Sequence, residues 1–383
     1  MIYFDNAATT FPKPLRVVDE VRRCMTVYGG NPGRGAHSLS LMAARKVFEC
    51  RSALADFFGA ADTDRVFFTL NATHGINTVI KGVLKKGDHV IISDMEHNAV
   101  FRPIHKLAVE GIIEYDVFKT LACDERQNPL RICANIAKLL RPNTKMVFCT
   151  HTSNICSMML PIREIAAFCH KHGLLFCVDA AQSAGHIPIN MSQMDIDALC
   201  IPGHKGLYGP QGSGAVILGK EITLDTLTEG GNGIDSLMPD MSLQAPERYE
   251  AGTVSTPAIA GLCEGIKAVR ALGVDNISGE EKRIAKQLCE LIGNTKGATV
   301  YAPGYEGGIV LFNVREIPSE KLASLLDKYG VCARGGYHCA ALAHKTLGVG
   351  DGGAVRLSLG MFNRSQEVDA FGRALTNAIK DAK

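Results

Sequence analysis

Short apolar runs alternate with longer amphipathic stretches through the first half of the chain, and this pattern predicts the fold. RVFFTL (65–70), DHVIIS (88–93), IEYDVF (113–118), KMVFCT (145–150) and LLFCV (174–178) read as buried strands, and a further apolar run ends just before Lys205. Between them apolar residues recur at helical spacing. Leu41, Ala44, Val47, Phe48 and Leu54 mark a helix from His37 to Phe58, and NATHGINTVIKGVLKKG turns out of a strand into an amphipathic helix. Strands alternating with helices imply right-handed crossovers and a mostly parallel α/β sheet. At Ser255 a helix begins, with Ser255 as its expected cap and Ile259, Leu262, Ile266 and Val269 on its apolar face. Helix, strand, strand and helix follow, with GIVLFNV at the centre of a smaller C-terminal unit.

Composition narrows the class. The 383 residues suit two domains or one large domain with a lobe, and 46% hydrophobic content is ample for burial. Forty-one basic and 39 acidic side chains leave a net charge of +2 with no long single-sign run, so neither nucleic acid nor a polyanionic surface is an expected partner. The first residues lack a charged segment followed by an apolar one, and no run approaches the ~18 apolar residues of a membrane span. A soluble cytoplasmic protein is expected. The 13 cysteines form no CxxC pair or zinc-like spacing, and no metal is expected. Cys149, Cys177, Cys200 and Cys332 lie in apolar runs and read as inert core residues.

The candidate chemistry concentrates between Leu174 and Gly214. Asp179 directly follows one apolar run and Lys205 another, so both groups emerge at strand ends, where open α/β sheets bind ligands. A lysine held there among small residues suits Schiff-base chemistry, with the acid as partner for a pyridinium nitrogen; the plain alternative is a salt bridge. Ala72, Thr73 and His74 occupy a turn between strand and helix, where unpaired N–H groups suit a phosphate and Thr73 adds a hydroxyl, or where Thr73 is simply the cap. Asn154 lies just past a strand end and reads as an Asx turn or a ligand contact. Cys339 follows Arg334, two glycines, Tyr337 and His338; positive neighbours favour a thiolate, and the glycines allow the loop to swing. Arg334 and Arg356 carry forks suited to a carboxylate, or to structural ion pairs.

The wording of these segments, from YFDNAATT through VDAAQSAGH and PGHKGLYGP to RGGYHCA and GAVRLSLGMFN, resembles the class V aminotransferase family of fold-type I pyridoxal-phosphate enzymes. That family contains cysteine desulfurases and selenocysteine lyases, and the resemblance runs over nearly the whole chain. It implies an N-terminal segment (1–20) joining the active site, a large domain (21–255) with a mostly parallel sheet that binds pyridoxal 5'-phosphate, and a small α+β C-terminal domain (256–383) carrying a short, second-group cysteine loop. Lys205 would hold the cofactor as an imine and act as base, and Asp179 would keep the ring nitrogen protonated. His97 would stack on the ring and could also move protons. Thr73, His74 and His204 would meet the phosphate, while Gln182 and Asn154 would reach the phenolic oxygen, or Asn154 the substrate carboxylate. Ala7 and Ala8 would line the active site, and Arg34 and His37 would sit near its mouth. Gly231 and Thr253, in the loop-like stretch 229–252, would reach the partner's cofactor phosphate in a homodimer with shared sites. Arg334 and Arg356 would take the substrate carboxylate.

The activity so implied is desulfuration of L-cysteine to alanine, with a persulfide on Cys339 and sulfur passing to an acceptor, which can be a protein. Selenocysteine lyase, another class V lyase or transaminase, and a non-catalytic scaffold are the alternatives. Two departures stand out: Ala72 and Pro202 occupy positions where the resembled desulfurases carry hydroxyl residues.

Overall fold

The computed structural model describes residues 1–33, 35–120, 128–234, 236–303 and 307–382. Its strands are β1 (Ile2–Tyr3), β2 (Val66–Thr69), β3 (His89–Ser93), β4 (Glu114–Phe118), β5 (Thr144–Thr150), β6 (Leu175–Asp179), β7 (Ala198–Pro202), β8 (Gly214–Leu218), β9 (Ala298–Tyr301), β10 (Ile309–Val314), β11 (Val331–Cys332) and β12 (Val355–Ser358). Seven form one sheet in the order β2-β8-β7-β6-β5-β3-β4. Its central pairs are parallel, and β8 alone runs antiparallel to both neighbours, β2 and β7.

Both faces of this sheet are covered, which is why its strands read as unbroken apolar runs. Phe67, Val90, Phe148 and Cys177 pack on one side with helices Ala72–Val83 and Asn98–Val109. Their neighbours Phe68, Ile91, Val147 and Val178 pack on the other with helices Ser38–Phe58 and Ile162–Lys171. Burial pushes the thiols of Cys149, Cys177 and Cys200 well above their ordinary range, so they stay protonated and inert.

The helix Ser38–Phe58 divides its apolar residues. Val47 and Leu54 are buried, whereas Leu41 and Phe48 are 49% and 59% exposed. Helix Thr256–Leu272 inserts Ile259, Leu262 and Ile266 into the same core. Ser255 precedes it without a side-chain capping bond; Pro257 in the first turn removes one of the N–H groups that a cap would satisfy.

The smaller lobe is an antiparallel sheet in the order β12-β10-β9, packed through Phe312 and Leu357 on Leu288 and Phe371 of two helices. β1 joins this lobe by pairing in parallel with β11, which leaves Cys332 only half-buried rather than in the core. The chain then crosses to the large lobe. There the carbonyl of His204 accepts from Thr10 N and Oγ1 and from Thr9 Oγ1, each at 3.1 Å, and from Lys13 Nζ at 2.8 Å. The backbone beside Lys205 is thereby clamped by the N-terminal segment.

Candidate active site

Every central strand delivers a polar group to the carboxyl edge of the sheet. Asp179 is the last residue of β6, Lys205 follows the end of β7, and Asn154 and His97 follow β5 and β3. These four surround a narrow cleft of about 70 Å³ together with Asn71, Ala72, Thr73, Gln182 and His204. Two glycines make the approach possible. Gly185 has φ +86°, and a Cβ there would sit 2.2 Å from the carbonyl of Gly206, so the chain after Lys205 lies directly against the turn after Asp179.

Burial dominates the electrostatics of the pair. It raises the carboxyl of Asp179, against the pull of the Ala181 N–H at 2.8 Å and of Lys205. Burial also lowers the amine of Lys205 to about 8; Asp179 and Cys339 oppose that fall and Arg356 reinforces it. A lysine so placed supplies free amine near neutral pH, which a nucleophile or base needs.

Asn71, not Thr73, caps the helix Ala72–Val83, its side chain accepting from His74 N at 2.9 Å. The N–H groups of Ala72 and Thr73 are left at the cleft, the ready-made setting for an anion. His74 turns away: its Nδ1 accepts from Leu70 N at 3.3 Å, and its ring does not line the cleft. Asn71 stands just before a helical run, the usual position of a capping residue.

His97 caps the next helix through Nδ1, which accepts from Ala99 N at 3.0 Å. The proton therefore resides on Nε2. Burial and then the charges of Lys205 and Arg356 lower this imidazole to about 4, which suits a neutral stacking ring better than a proton carrier. His204 is lowered to about 4 by burial, Lys205 and Lys13, and its buried Nδ1 has no partner.

The Cys339 turn overhangs this group and is pinned. Asn98 N donates to the carbonyl of Cys339 at 2.7 Å, and Asn154 Nδ2 donates to that of His338 at 2.8 Å. Gly336 and Ala354 exchange two main-chain bonds of 3.1 Å. The swinging loop expected from the glycines is thus a short fastened turn with an exposed cysteine. Its expected positive neighbours differ too. His338 is uncharged, pushed down to about 3 by burial and Arg356, and the Arg334 guanidinium is committed to Asp5, with Nη2 2.7 Å from Oδ2.

Arg356 is the buried one of these two arginines, 3% exposed. Its Nη2 meets Asp5 Oδ1 and its Nη1 the carbonyl of Asn154, both at 3.1 Å, while Nε points to no partner. The Nε–H is therefore left without a partner. Asn154 keeps its Oδ1 and the second N–H of Nδ2 for a ligand. Gln182 Nε2 donates to the carbonyl of Ala7 at 3.0 Å. Asp5, which joins both arginines, was not singled out from the sequence; it directly precedes the NAATT stretch that was.

Gly231 and Thr253 are not brought to this cleft. They line a separate one with Asn31, His37, Phe48 and Arg51. Arg34 lies outside the described residues.

A lysine and an acid on adjacent strand ends of a seven-stranded, mostly parallel sheet, facing a helix N-terminus, define an α/β enzyme of fold-type I. Residues 2–371 match the class-V aminotransferase family, and the chain belongs to it. A probable cysteine desulfurase of Methanothermobacter thermautotrophicus is 33% identical, the match covering 98% of this chain and 94% of that protein. A cysteine desulfurase of Yersinia pseudotuberculosis is 32% identical, over 96% and 91% of the two chains. Among solved structures, the apo cysteine desulfurase of Thermococcus onnurineus superposes with a TM-score of 0.89 at 30% identity, covering 99% of this chain and 95% of that one.

Proposed function

We propose that the protein is a pyridoxal-phosphate-dependent cysteine desulfurase that turns L-cysteine into L-alanine and leaves the sulfur on Cys339. The observation that carries this reading is the exposed Cys339 fastened by Asn98 and Asn154 beside a buried Lys205–Asp179 pair.

The residues present fit the cofactor. Buried polar atoms without partners belong to two residues that line the cleft, Asn154 Oδ1 and His204 Nδ1, and the N-terminus of helix Ala72–Val83 opens onto it. Thr73, the Ala72 N–H and His204 would hold the phosphate, which compensates for the hydroxyls absent at Ala72 and Pro202. Asp179 would meet the ring nitrogen, His97 the ring face, and Asn154 and Gln182 the ring oxygen. Pyridoxal 5'-phosphate bound there supplies an electron sink for bond breaking at the substrate's Cα.

Arg356 orients the substrate carboxylate through its free Nε–H. Lys205 Nζ, lowered to about 8, takes the Cα proton and returns it. The Cys339 thiolate then attacks the substrate sulfur: a sulfur–sulfur bond forms, the substrate's carbon–sulfur bond breaks, and its electron pair stays on Cβ until protonation. Free L-cysteine and an enzyme thiol become L-alanine and an enzyme persulfide, with atoms and electrons in balance. An exposed Cys339 suits delivery of that sulfur to a protein acceptor.

An exposed apolar face supports reading the protein as a homodimer. Leu39, Leu41, Met42 and Phe48 are 39–59% exposed along one helix, beside the cleft that Gly231 and Thr253 line. A second copy covering this face would bring those two residues to its neighbour's phosphate. The described cysteines are all free thiols, which supports the cytoplasm as compartment, and no described helix is long and apolar enough to cross a membrane.

The test is to supply L-cysteine and a reductant to the cofactor-loaded protein and to Cys339→Ala, and to measure alanine and sulfide. The variant is expected to keep its cofactor and lose desulfuration. Equal sulfide release from both would remove Cys339 from the mechanism, and retained cleavage of selenocysteine alone would favour a selenocysteine lyase.

A further inference from the structure

Two histidines that the proposed reaction does not use hold the turn that carries Cys339. His344, in the short helix Ala341–Thr346, is 1% exposed. Its ring stacks on that of His338, with centroids 5.5 Å apart and planes 14° from parallel, and Tyr337 packs edge-on against it. His344 Nε2 lies 3.3 Å from His338 Nδ1, and His338 Nε2 lies 3.1 Å from the carbonyl of Arg334.

Only one order of protons satisfies this chain. A carbonyl only accepts, so His338 carries its proton on Nε2 and presents a lone pair at Nδ1. The ring-to-ring contact then requires the proton of His344 on Nε2. The series ends at His344 Nδ1, a buried lone pair without a partner. A second proton on His338 would either set two N–H groups against each other or force the His344 proton onto Nδ1, a buried position with no acceptor. Burial and the charge of Arg356 act in the same sense, lowering His338 to about 3 and His344 to about 4.

The main chain at this point needs such support. His338 and Cys339 have φ of 51° and 55°, two successive non-glycine residues in the left-handed region. Such backbone persists only where its surroundings over-determine it. Asn154 and Asn98 hold the two carbonyls, and the His338 ring, reaching back to Arg334, holds the side of the turn. What keeps that ring from rotating is its bond from His344.

We infer that His344 is a positioning residue for Cys339: it fixes the tautomer and rotamer of His338, and through them the left-handed pair that aims the thiol. The inference rests on the reading of Cys339 as the sulfur acceptor. It gives a reason for a histidine pair beside the reactive cysteine in which neither ring serves as its proton partner.

The test compares cofactor-loaded parent, His344→Phe and His344→Gln. Phenylalanine fills the volume without a donor, whereas glutamine retains an N–H to offer His338. The expected result is a kcat for desulfuration reduced by about ten- to a hundredfold in His344→Phe, the scale that misplacement of a reacting group costs. KM for cysteine should stay within about threefold, and the glutamine variant should recover most of the rate. The rate of Cys339 alkylation by iodoacetamide at a fixed pH should change in the phenylalanine variant and return in the glutamine one. Parental kcat and alkylation in His344→Phe, or a glutamine variant no better than phenylalanine, would overturn the inference.

Should the phenylalanine variant fail to fold, nitrogen-15 NMR of the histidines in the parent decides. Neutral His338 with its proton on Nε2 at about pH 6 supports the inference, and an imidazolium or an Nδ1–H tautomer there overturns it. That readout stands whether or not Cys339→Ala desulfurates, so failure of the functional reading and failure of this one are told apart.

Discussion

The side-chain amide of Asn154 donates to the main-chain carbonyl of His338 at 2.8 Å, tying the segment after β5 to the turn that presents Cys339. The carbonyl of the same asparagine receives Arg356 Nη1 at 3.1 Å. One residue therefore joins the cysteine turn, the arginine and the cleft. Asn154→Ala should cost about 1–2 kcal/mol, because it leaves the His338 carbonyl short of a partner. It should also lower kcat by about ten- to a hundredfold through displacement of the turn. Asn154→Asp should be worse, since a carboxylate would face that carbonyl with two acceptors and no donor. Urea unfolding and alanine production check both; an aspartate variant as active as the alanine one would contradict the geometry.

The two arginines at Asp5 should behave differently. Arg334 is half-exposed, and its pair with Asp5 is worth about 0–1 kcal/mol. Arg356 is buried, and Arg356→Gln should cost about 3 kcal/mol, somewhat relieved because Arg334 still neutralises Asp5. With substrate, Arg356→Gln should raise KM for cysteine by more than about tenfold and Arg334→Gln by less than about threefold. Steady-state kinetics of the two variants make the comparison, and the reverse order would assign the carboxylate to Arg334.

Lys205 makes the stability of the cofactor-free protein depend on pH. Its amine falls from the ordinary 10.5 to about 8 in the folded chain. Between those values the unfolded chain binds a proton that the folded one does not, so stability rises with pH across that window. Below pH 8 the folded protein bears the whole cost of a buried charge. Lys205→Met should accordingly be more stable than the parent at about pH 7, by up to about 3 kcal/mol, and the gap should close towards about pH 10. Lys13, lowered to about 8 by burial, contributes the same slope to both proteins and cancels in the difference. Urea unfolding at the two pH values reads it, and a gap that widens with pH would contradict the sign.

Phe48 tests the shared-site dimer. Phe48→Glu puts a charge on a helix surface that also exposes Leu41 and Met42. The parent should sediment as a dimer and the variant as a monomer. Cofactor retention should fall with it, because Gly231 and Thr253 would no longer complete the neighbour's site. A parent that sediments as a monomer would remove the second copy from the account.

What was legible in the sequence follows from range along the chain. Asp179 and Lys205 stood out because unbroken apolar runs stop at polar residues, and a buried parallel strand must end where its chemistry begins. The helix after β2 was legible from strand, turn and helix order, although its cap is Asn71 and His74 faces away. The arrangement around Cys339 was not. Asp5, Asn98 and Asn154, far away in sequence, support it together with His344 and Arg356, and adjacency in the RGGYHCA motif suggested a charge on His338 that burial removes while hiding the pairing of Arg334 with Asp5. Periodicity likewise showed that Leu41 and Phe48 lie on a helix but not that their side faces outward.

The account's central claim is that the sulfur of free cysteine passes to one thiol. Cofactor-loaded protein given a single equivalent of sulfur-labelled L-cysteine, quenched and digested under non-reducing conditions, should carry the label on the peptide containing Cys339, in an amount matching the alanine formed. Label on a peptide bearing a different cysteine, or alanine formed with no labelled peptide at all, would contradict it.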